Sequence, residues 1–183
     1  MKKTIFVLIF GALLSLPVYH LNAQPVKKNV IKTNLFSPII RTGHLIYERV
    51  LNDDMSAQLG FFFTKANVGE LGLSGFGITP EFRYYLSERS APAGIYVALS
   101  PRYLSLSLKE SNTGSEANWT AFGGALNVGA QALLKDVITL EVYLGPSYST
   151  GNMDVKIGAE NDFSLRSLDG FGIRFGVVLG VAF

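Results

Sequence analysis

The chain has 183 residues, of which 48% are hydrophobic, and this length fits one domain better than two. It has no cysteine, which excludes a disulfide framework, a thiolate nucleophile and a lipoprotein-type anchor cysteine. Two of the 16 Lys and Arg residues lie in a predicted leader, so the rest of the chain has 14 basic and 14 acidic residues and a net charge of zero. Without an excess of basic residues, the composition does not favour a nucleic-acid partner.

Positions 1–23 have the features of a secretory signal peptide. Lys2 and Lys3 precede an apolar run over 5–16, which Pro17 ends. The sequence predicts cleavage after Ala23, with an uncleaved membrane anchor as the alternative. The expected organisation is a signal peptide over 1–23 and a single barrel domain over 24–183. Beyond the leader, no apolar run reaches the roughly 18 residues that a transmembrane helix needs.

The remaining chain alternates between apolar and polar or small residues, with turn signals between the alternating segments. Alternation with a period of two predicts strands with two unlike faces. The polar cluster Asn52-Asp53-Asp54 is one such turn signal. The eight predicted strands cover 30–36, 43–51, 55–64, 76–86, 94–106, 119–132, 137–148 and 170–183.

The last strand has the clearest pattern. Its odd positions carry only large apolar residues, whereas its even positions are small except for Arg174 and Val178. At about fourteen residues it is longer than the three to ten of most globular strands. This length and pattern are typical of a transmembrane β-barrel strand.

The predicted connections differ in length. Those after the second, fourth and sixth strands are short, and those after the third, fifth and seventh are longer loops over 65–75, 109–118 and 149–169. Short inner turns and long outer loops are typical of barrels in the outer membrane of Gram-negative bacteria. The three loops are therefore candidates for contact with an extracellular partner that the sequence does not identify.

A closed barrel could also be a soluble lipocalin-like container, with its polar face outside. The signal peptide, the size of the apolar face and the aromatic residues at the strand ends favour a membrane barrel. The expected girdle residues are Phe63, Tyr103, Phe122, Tyr148 and Phe171 at the outer end, and Tyr47, Tyr84 and Phe183 at the inner end. The sequence thus predicts an all-β, eight-stranded antiparallel up-and-down transmembrane β-barrel in contact with outer-membrane lipids and lipopolysaccharide.

In such a barrel the polar face lines a lumen that side chains can fill. Six charged residues lie on this face, and buried charges must pair because an isolated one is costly. We therefore expect a lumenal ion-pair network, which Lys32 could join; a gated ion path is the alternative. The six residues are Glu48, Glu81, Arg83, Arg102, Glu141 and Arg174.

Few residues suggest catalysis or a cofactor. His44 is the one histidine outside the leader, and no carboxylate cluster at ligand spacing suggests a metal site. The glycine-rich segments precede no helix, so they are not phosphate loops. We predict no catalytic residue, cofactor or metal. His44 in a serine–histidine–acid arrangement, as in lipid A deacylase barrels, is the enzymatic alternative.

Several short motifs resemble a known family. Lys32-Thr33-Asn34-Leu35, Tyr47-Glu48-Arg49, the segment 139–146 and the terminal Phe183 are similar to the DUF3575 family, small outer-membrane β-barrel proteins of Bacteroidetes with no assigned function. The resemblance implies an OmpA/OmpX-like eight-stranded barrel and transfers no catalytic residue. Phe183 also resembles the terminal aromatic residue that the barrel-assembly machinery recognises. The expected function is non-enzymatic: structural, or surface interaction in the cell envelope, with a lipid-modifying enzyme or a pore as alternatives.

Overall fold

Eight antiparallel strands form one closed up-and-down barrel in the computed structural model, which describes residues 27–68, 71–110, 114–158 and 169–183. Each strand pairs with the next along the chain, and β1 closes the barrel against β8. The predicted eight-stranded antiparallel barrel is confirmed. The strands are β1 (Asn29–Asn34), β2 (Thr42–Asn52), β3 (Met55–Val68), β4 (Leu71–Tyr85), β5 (Gly94–Glu110), β6 (Glu116–Leu134), β7 (Ile138–Ile157) and β8 (Gly170–Ala182).

The predicted signal peptide, 1–23, lies outside the described residues. Within them, the only helix is a 3-10 helix at Ser37–Ile40, between β1 and β2. No helix in this part of the chain has the length and apolar character needed to cross a membrane.

The barrel has two distinct ends. We call the end with the β2–β3, β4–β5 and β6–β7 connections the lower end, and the opposite one the upper end. Tight turns form at the lower end because the sequence supplies suitable residues. The Asn52 side chain accepts a hydrogen bond from the Asp54 backbone N–H at 3.0 Å. Lys135 and Asp136 both have positive φ, as a type I′ turn requires, and the Val137 backbone N–H donates to Leu134 O at 3.1 Å.

The upper end is built differently from the sequence prediction. Instead of loops over 65–75 and 109–118, β3 and β4 continue to within two residues of each other, and β5 runs to Glu110. Likewise β7 continues to Ile157 through the first part of the predicted loop 149–169, whose positions 159–168 lie outside the described residues. The long loops predicted after the third and fifth strands are therefore wrong, since the upper side has tall strand hairpins there, whereas the connection after β7 is still the longest.

These extensions form because the alternation continues with its polarity reversed. On β5, the outward residues change from Leu99 and Tyr103 to Ser107, while the inward residues change from Ser100 to Leu108. Each strand face keeps its direction, but its polarity changes with height. The outward face is apolar in the lower part of the barrel and polar in the upper part, and the inward face shows the opposite change. A strand can continue through such a reversal because its backbone hydrogen bonds do not depend on which face is apolar.

Aromatic side chains mark the level of this reversal on the outer surface. Their rings form two contacting series, and Phe171 is 89% exposed. The ring centroids are 6.1 Å apart for Phe61–Phe76, 6.3 Å for Phe76–Tyr103, 4.9 Å for Tyr103–Phe122 and 5.0 Å for Tyr148–Phe171. We call this set the aromatic belt. Below it, most outward side chains are exposed aliphatic and aromatic ones, with Thr33 and Arg49 as polar exceptions.

Inside the barrel, large aromatic residues lie directly beside glycines of the neighbouring strand. Phe62 pairs with Gly77, Tyr96 with Gly129, and Tyr143 with Gly176 on neighbouring strands. In each case a Cβ added at the glycine would overlap the facing ring. The glycines therefore give inward rings the space to lie flat on the wall, and the narrow lumen is filled by side chains.

Candidate functional site

Arg83 lies at the centre of the lower lumen, with a relative exposure of 1%. Its Nε donates to Glu81 at 2.6 Å, and its Nη1 and Nη2 donate to the two carboxylate oxygens of Glu141 at 3.0 and 2.8 Å. Its Nη1 also lies 3.6 Å from Glu48. One guanidinium thus contacts three carboxylates, which uses the fork geometry that lysine lacks.

Lys32 supplies the second buried cation. Its Nζ lies 2.6 Å from a Glu48 oxygen and 2.7 Å from a Glu141 oxygen, and it donates to Gln131 Oε1 at 2.6 Å. We call Lys32, Glu48, Glu81, Arg83 and Glu141 together the lower lumen network. These five residues come from β1, β2, β4 and β7, so the network joins strands on different sides of the barrel.

Neutral side chains satisfy the remaining carboxylate oxygens. Ser56 and Tyr85 donate to Glu48 at 2.5 and 2.8 Å, and Tyr96 donates to Glu141 at 2.7 Å. Ser100 and Asn127 donate to Glu81. Buried carboxylates are tolerated when their charge is paired and their lone pairs are hydrogen-bonded, and the lower lumen network meets both conditions.

Two of the six predicted network residues, Arg102 and Arg174, lie apart from the others. Arg83 pairs with Ala98 across the β4–β5 ladder, so Arg102 is four residues, roughly 13 Å, farther up β5. Arg174 is likewise four residues up β8 from Val178, which pairs with Glu141. Neither forms an ion pair with any described residue, whereas Glu48, Glu81, Arg83 and Glu141 are brought together as the pattern of inward charges indicated.

Arg102 and Arg174 form a separate layer above the lower lumen network, which we call the arginine layer. The Arg102 guanidinium lies over the Phe62 ring, with its Cζ 5.0 Å from the ring centroid. The Arg102 Nε and the Arg174 Nη1 are buried atoms that donate to no acceptor among the described residues.

The lumen above the arginine layer is apolar. Leu104, Leu108, Ala117, Trp119 and Ala121 are buried against one another, and we call them the upper apolar cluster. Met153 and Val155 of β7 pack on this cluster. The lumen is therefore obstructed by two chemically different layers, one of ion pairs and one of hydrocarbon.

His44 faces the lumen from β2, beside the arginine layer. Its imidazole lies edge-on to the Phe62 ring at 6.4 Å between centroids. In the described part of the chain, no hydroxyl or carboxylate forms a hydrogen bond with the imidazole. The geometry around His44 therefore does not assemble the serine–histidine–acid arrangement that the enzymatic alternative requires.

Sequence reasoning missed the contribution of Tyr85, Tyr96 and Gln131 to the network. All three lie on inward positions at the level of Arg83, and a tyrosine hydroxyl inside a barrel needs a polar partner. Their position on the polar face was a usable signal, but the level at which they meet the carboxylates depends on strand register.

Phe183, the predicted assembly signal, lies at the seam between β1 and β8. Its backbone N–H donates to Asn29 O at 2.9 Å, and its side chain points outward with the rest of the odd β8 positions. Its role in assembly stays a prediction.

The upper outer surface carries a shallow depression of about 320 Å³. Lys65, Lys109 and Lys156 line it, together with Glu116 and Asn118. Lys109 donates to Glu116 at 2.7 Å, and this hydrogen bond lowers the pKa of the Glu116 carboxyl. Over the described ranges, no group of three or more His, Cys, Asp or Glu side chains is placed to hold a metal ion.

Comparison with known proteins identifies the family. The family model described as "Protein of unknown function (DUF3575)" matches residues 7–163, which include β1 to β7. The chain belongs to the DUF3575 family. No curated protein and no solved structure matched the chain. The function of this DUF3575 protein is therefore inferred from the barrel itself.

Proposed function

We propose that this DUF3575 protein is a small outer-membrane β-barrel with a filled lumen and a structural or surface-interaction role in the cell envelope. In this proposal the leader is cleaved, the barrel-assembly machinery inserts the chain, and the upper end faces the cell exterior. The upper hairpins, rather than a lumenal site, contact the partner.

The reversal of strand polarity at the aromatic belt is the observation that carries this proposal. Below the belt, outward side chains on β5 are apolar over about nine residues, from Ile95 to Tyr103, which matches the length of a membrane-spanning strand. Above it, outward Ser107 and Lys109 are suited to water. A soluble lipocalin-like barrel would place polar residues outside along its whole height, so it does not account for the lower surface.

The outward lysines above the aromatic belt suit a membrane whose outer leaflet carries phosphate groups. Lys65, Lys109 and Lys156 lie above the aromatic belt and surround one depression. Ammonium groups at this level can reach phosphates of lipopolysaccharide while the apolar surface contacts acyl chains. Lipopolysaccharide is therefore the membrane partner that this surface fits best.

The filled lumen supports a scaffold role rather than transport or catalysis. The lower lumen network ties four strands together, and the upper apolar cluster obstructs the path above it. A residue fixed by several buried partners can hold the wall in one shape, and a rigid wall presents the upper hairpins in a constant arrangement.

Single-cysteine labelling on intact cells tests the proposal. The native chain has no cysteine, so Ser107→Cys and Leu99→Cys each introduce one thiol on the same strand and the same outward face. After expression in a Gram-negative host, a membrane-impermeant maleimide is added to intact cells, and the label is quantified on the protein from the outer-membrane fraction.

We expect strong labelling of Ser107→Cys and little labelling of Leu99→Cys until the membrane is dissolved and the protein is denatured. Equal labelling of the two variants on intact cells would contradict a membrane-embedded lower surface. Recovery of the protein in the soluble periplasmic fraction would instead support a lipocalin-like container.

A further inference from the structure

The arginine layer contains more positive charge than the described lumenal residues neutralise. Below the upper apolar cluster, four cations face inward, namely Lys32, Arg83, Arg102 and Arg174, against the three carboxylates of the lower lumen network. The carboxylates are bound by Lys32 and Arg83. The lower lumen network thus has a formal charge of −1 and the arginine layer one of +2, which leaves the lumen with a net charge of +1.

Both arginines present N–H donors that no described residue accepts. These donors are the Arg102 Nε and the Arg174 Nη1, and both atoms are buried. The Phe62 ring covers the face of the Arg102 guanidinium, and the N–H groups donate in the guanidinium plane. Buried donors in native proteins almost always have an acceptor, and a charged donor most of all.

The two arginines line one cavity of about 30 Å³, with Leu104, Gly123 and Ser147 among the other lining residues. Gly123 in this wall has no room for a side chain, because a Cβ there would lie 2.5 Å from the Tyr148 backbone oxygen. Ser147 places a hydroxyl group in the same wall, which is a third possible donor.

We propose that the arginine layer binds one monatomic anion of the halide class, with chloride as the physiological ligand. A single negative charge between Arg102 and Arg174 would neutralise the lumen and accept hydrogen bonds from both orphan donors. A cavity needs about 10–15 Å³ to hold one water molecule, so this one has room for an ion slightly larger than water. A tetrahedral oxyanion, with five heavy atoms, does not fit it.

The site is distinct from the outward lysine depression, which is open to solvent. The lower lumen network lies beneath the arginine layer and the upper apolar cluster lies above it. An anion bound there would complete the lumenal packing between the two layers, so the proposal assigns it a structural role in the folded barrel. The experiment must therefore control the anion during refolding.

Refolding in different sodium salts tests the site. The protein is unfolded in urea and refolded into detergent micelles in sodium chloride, sodium bromide or sodium gluconate at equal ionic strength, and its thermal unfolding midpoint is measured. Gluconate is too large for the cavity. An anion that binds only the folded state raises the midpoint, here by about 2–8 °C over gluconate.

Arg174→Met should abolish the difference between chloride and gluconate. Lys109→Met removes a cation from the solvent-exposed pair with Glu116 and should retain the difference. Crystals of the wild-type protein refolded in bromide should show one anomalous peak between Arg102 and Arg174, and this measurement decides the question even if Arg174→Met does not fold.

Equal midpoints for the wild-type protein in chloride and gluconate would overturn the proposal. A chloride effect that persists in Arg174→Met would do the same, since the ion would then bind elsewhere. The absence of a bromide peak between the two arginines would show that water alone satisfies their N–H groups.

Discussion

Arg83 is the residue on which the lower lumen network most depends, because it contacts all three buried carboxylates. Replacing it with methionine keeps most of the volume and removes the charge. Lys32 would then be the only cation facing three glutamates. We expect Arg83→Met to lower the free energy of unfolding by about 3–5 kcal/mol, measured by urea unfolding in detergent micelles.

Lys109→Met is the matched control for this substitution. The Lys109–Glu116 ion pair has a similar length, 2.7 Å, but the Lys109 side chain is 67% exposed. Solvent screens such pairs, so its loss should change the unfolding midpoint little. If both variants unfolded at the wild-type urea concentration, the lower lumen network would not contribute to stability as inferred.

For each lumenal charge, the sequence predicts the direction of the side chain but not its height along the barrel axis. Parity along a strand determines which side chains face inward, and it placed Glu48, Glu81, Arg83 and Glu141 on the lumenal side correctly. Parity does not determine level along the barrel axis. Arg102 and Arg174 face the same lumen as Glu141, but strand register places them four residues higher, and neither forms an ion pair with a described carboxylate.

Individual strands alternate throughout, yet their polarity reverses at the aromatic belt. The sequence predicts loops over 65–75, 109–118 and 149–169, where polar residues become frequent. Leu104, Leu106 and Leu108 alternate with serines and a lysine, so the period of two continues beyond this point. A search for period alone, irrespective of which face is apolar, would have predicted the hairpin extensions.

The packing of two neighbouring strands depends on glycines that leave room for inward aromatic rings. Gly129 on β6 faces Tyr96 on β5, and the Tyr96 hydroxyl donates to Glu141. A Cβ at Gly129 would overlap the Tyr96 ring and displace its hydroxyl from the lower lumen network. We expect Gly129→Ala to lower the free energy of unfolding by about 1–3 kcal/mol in urea titrations.

Gly124→Ala tests whether this effect is steric. Gly124 lies on the same strand, but a Cβ there would be 3.5 Å from the nearest atom, Ser100 O, which is an ordinary contact. Alanine loses less backbone entropy on folding than glycine, so Gly124→Ala should be neutral or slightly stabilising. Equal destabilisation by the two substitutions would mean that β6 tolerates no added side chain at either glycine, and not that Tyr96 in particular needs the space.

At the scale of the whole molecule, the number and order of the strands followed from the sequence because every strand carries its own alternating pattern and its own turn signals. The relative heights of the strands did not follow, since these depend on pairing between residues far apart in the chain. β1 has 6 residues and β7 has 20, so the barrel wall is low on one side and tall on the other. Contacts inside the tall side form the upper apolar cluster.

The two obstructing layers predict that the barrel does not conduct ions. The lower lumen network fills the lower lumen with hydrogen-bonded side chains, and the upper apolar cluster would have to be hydrated before an ion could pass. An eight-stranded barrel has little interior space beyond that which side chains occupy. Wild-type protein in planar bilayers should therefore give no conductance steps under conditions in which a general porin does.

Removing only one layer should leave the lumen closed. Leu108→Ala combined with Trp119→Ala opens the upper apolar cluster but leaves the Arg83 and Lys32 ion pairs in place, so this variant should also lack conductance steps. Folded, inserted protein is verified by its shifted migration in unheated gels. Regular conductance steps from the wild-type protein would contradict a filled lumen, whereas steps from the double variant alone would show that the upper apolar cluster, and not the lower lumen network, closes the path.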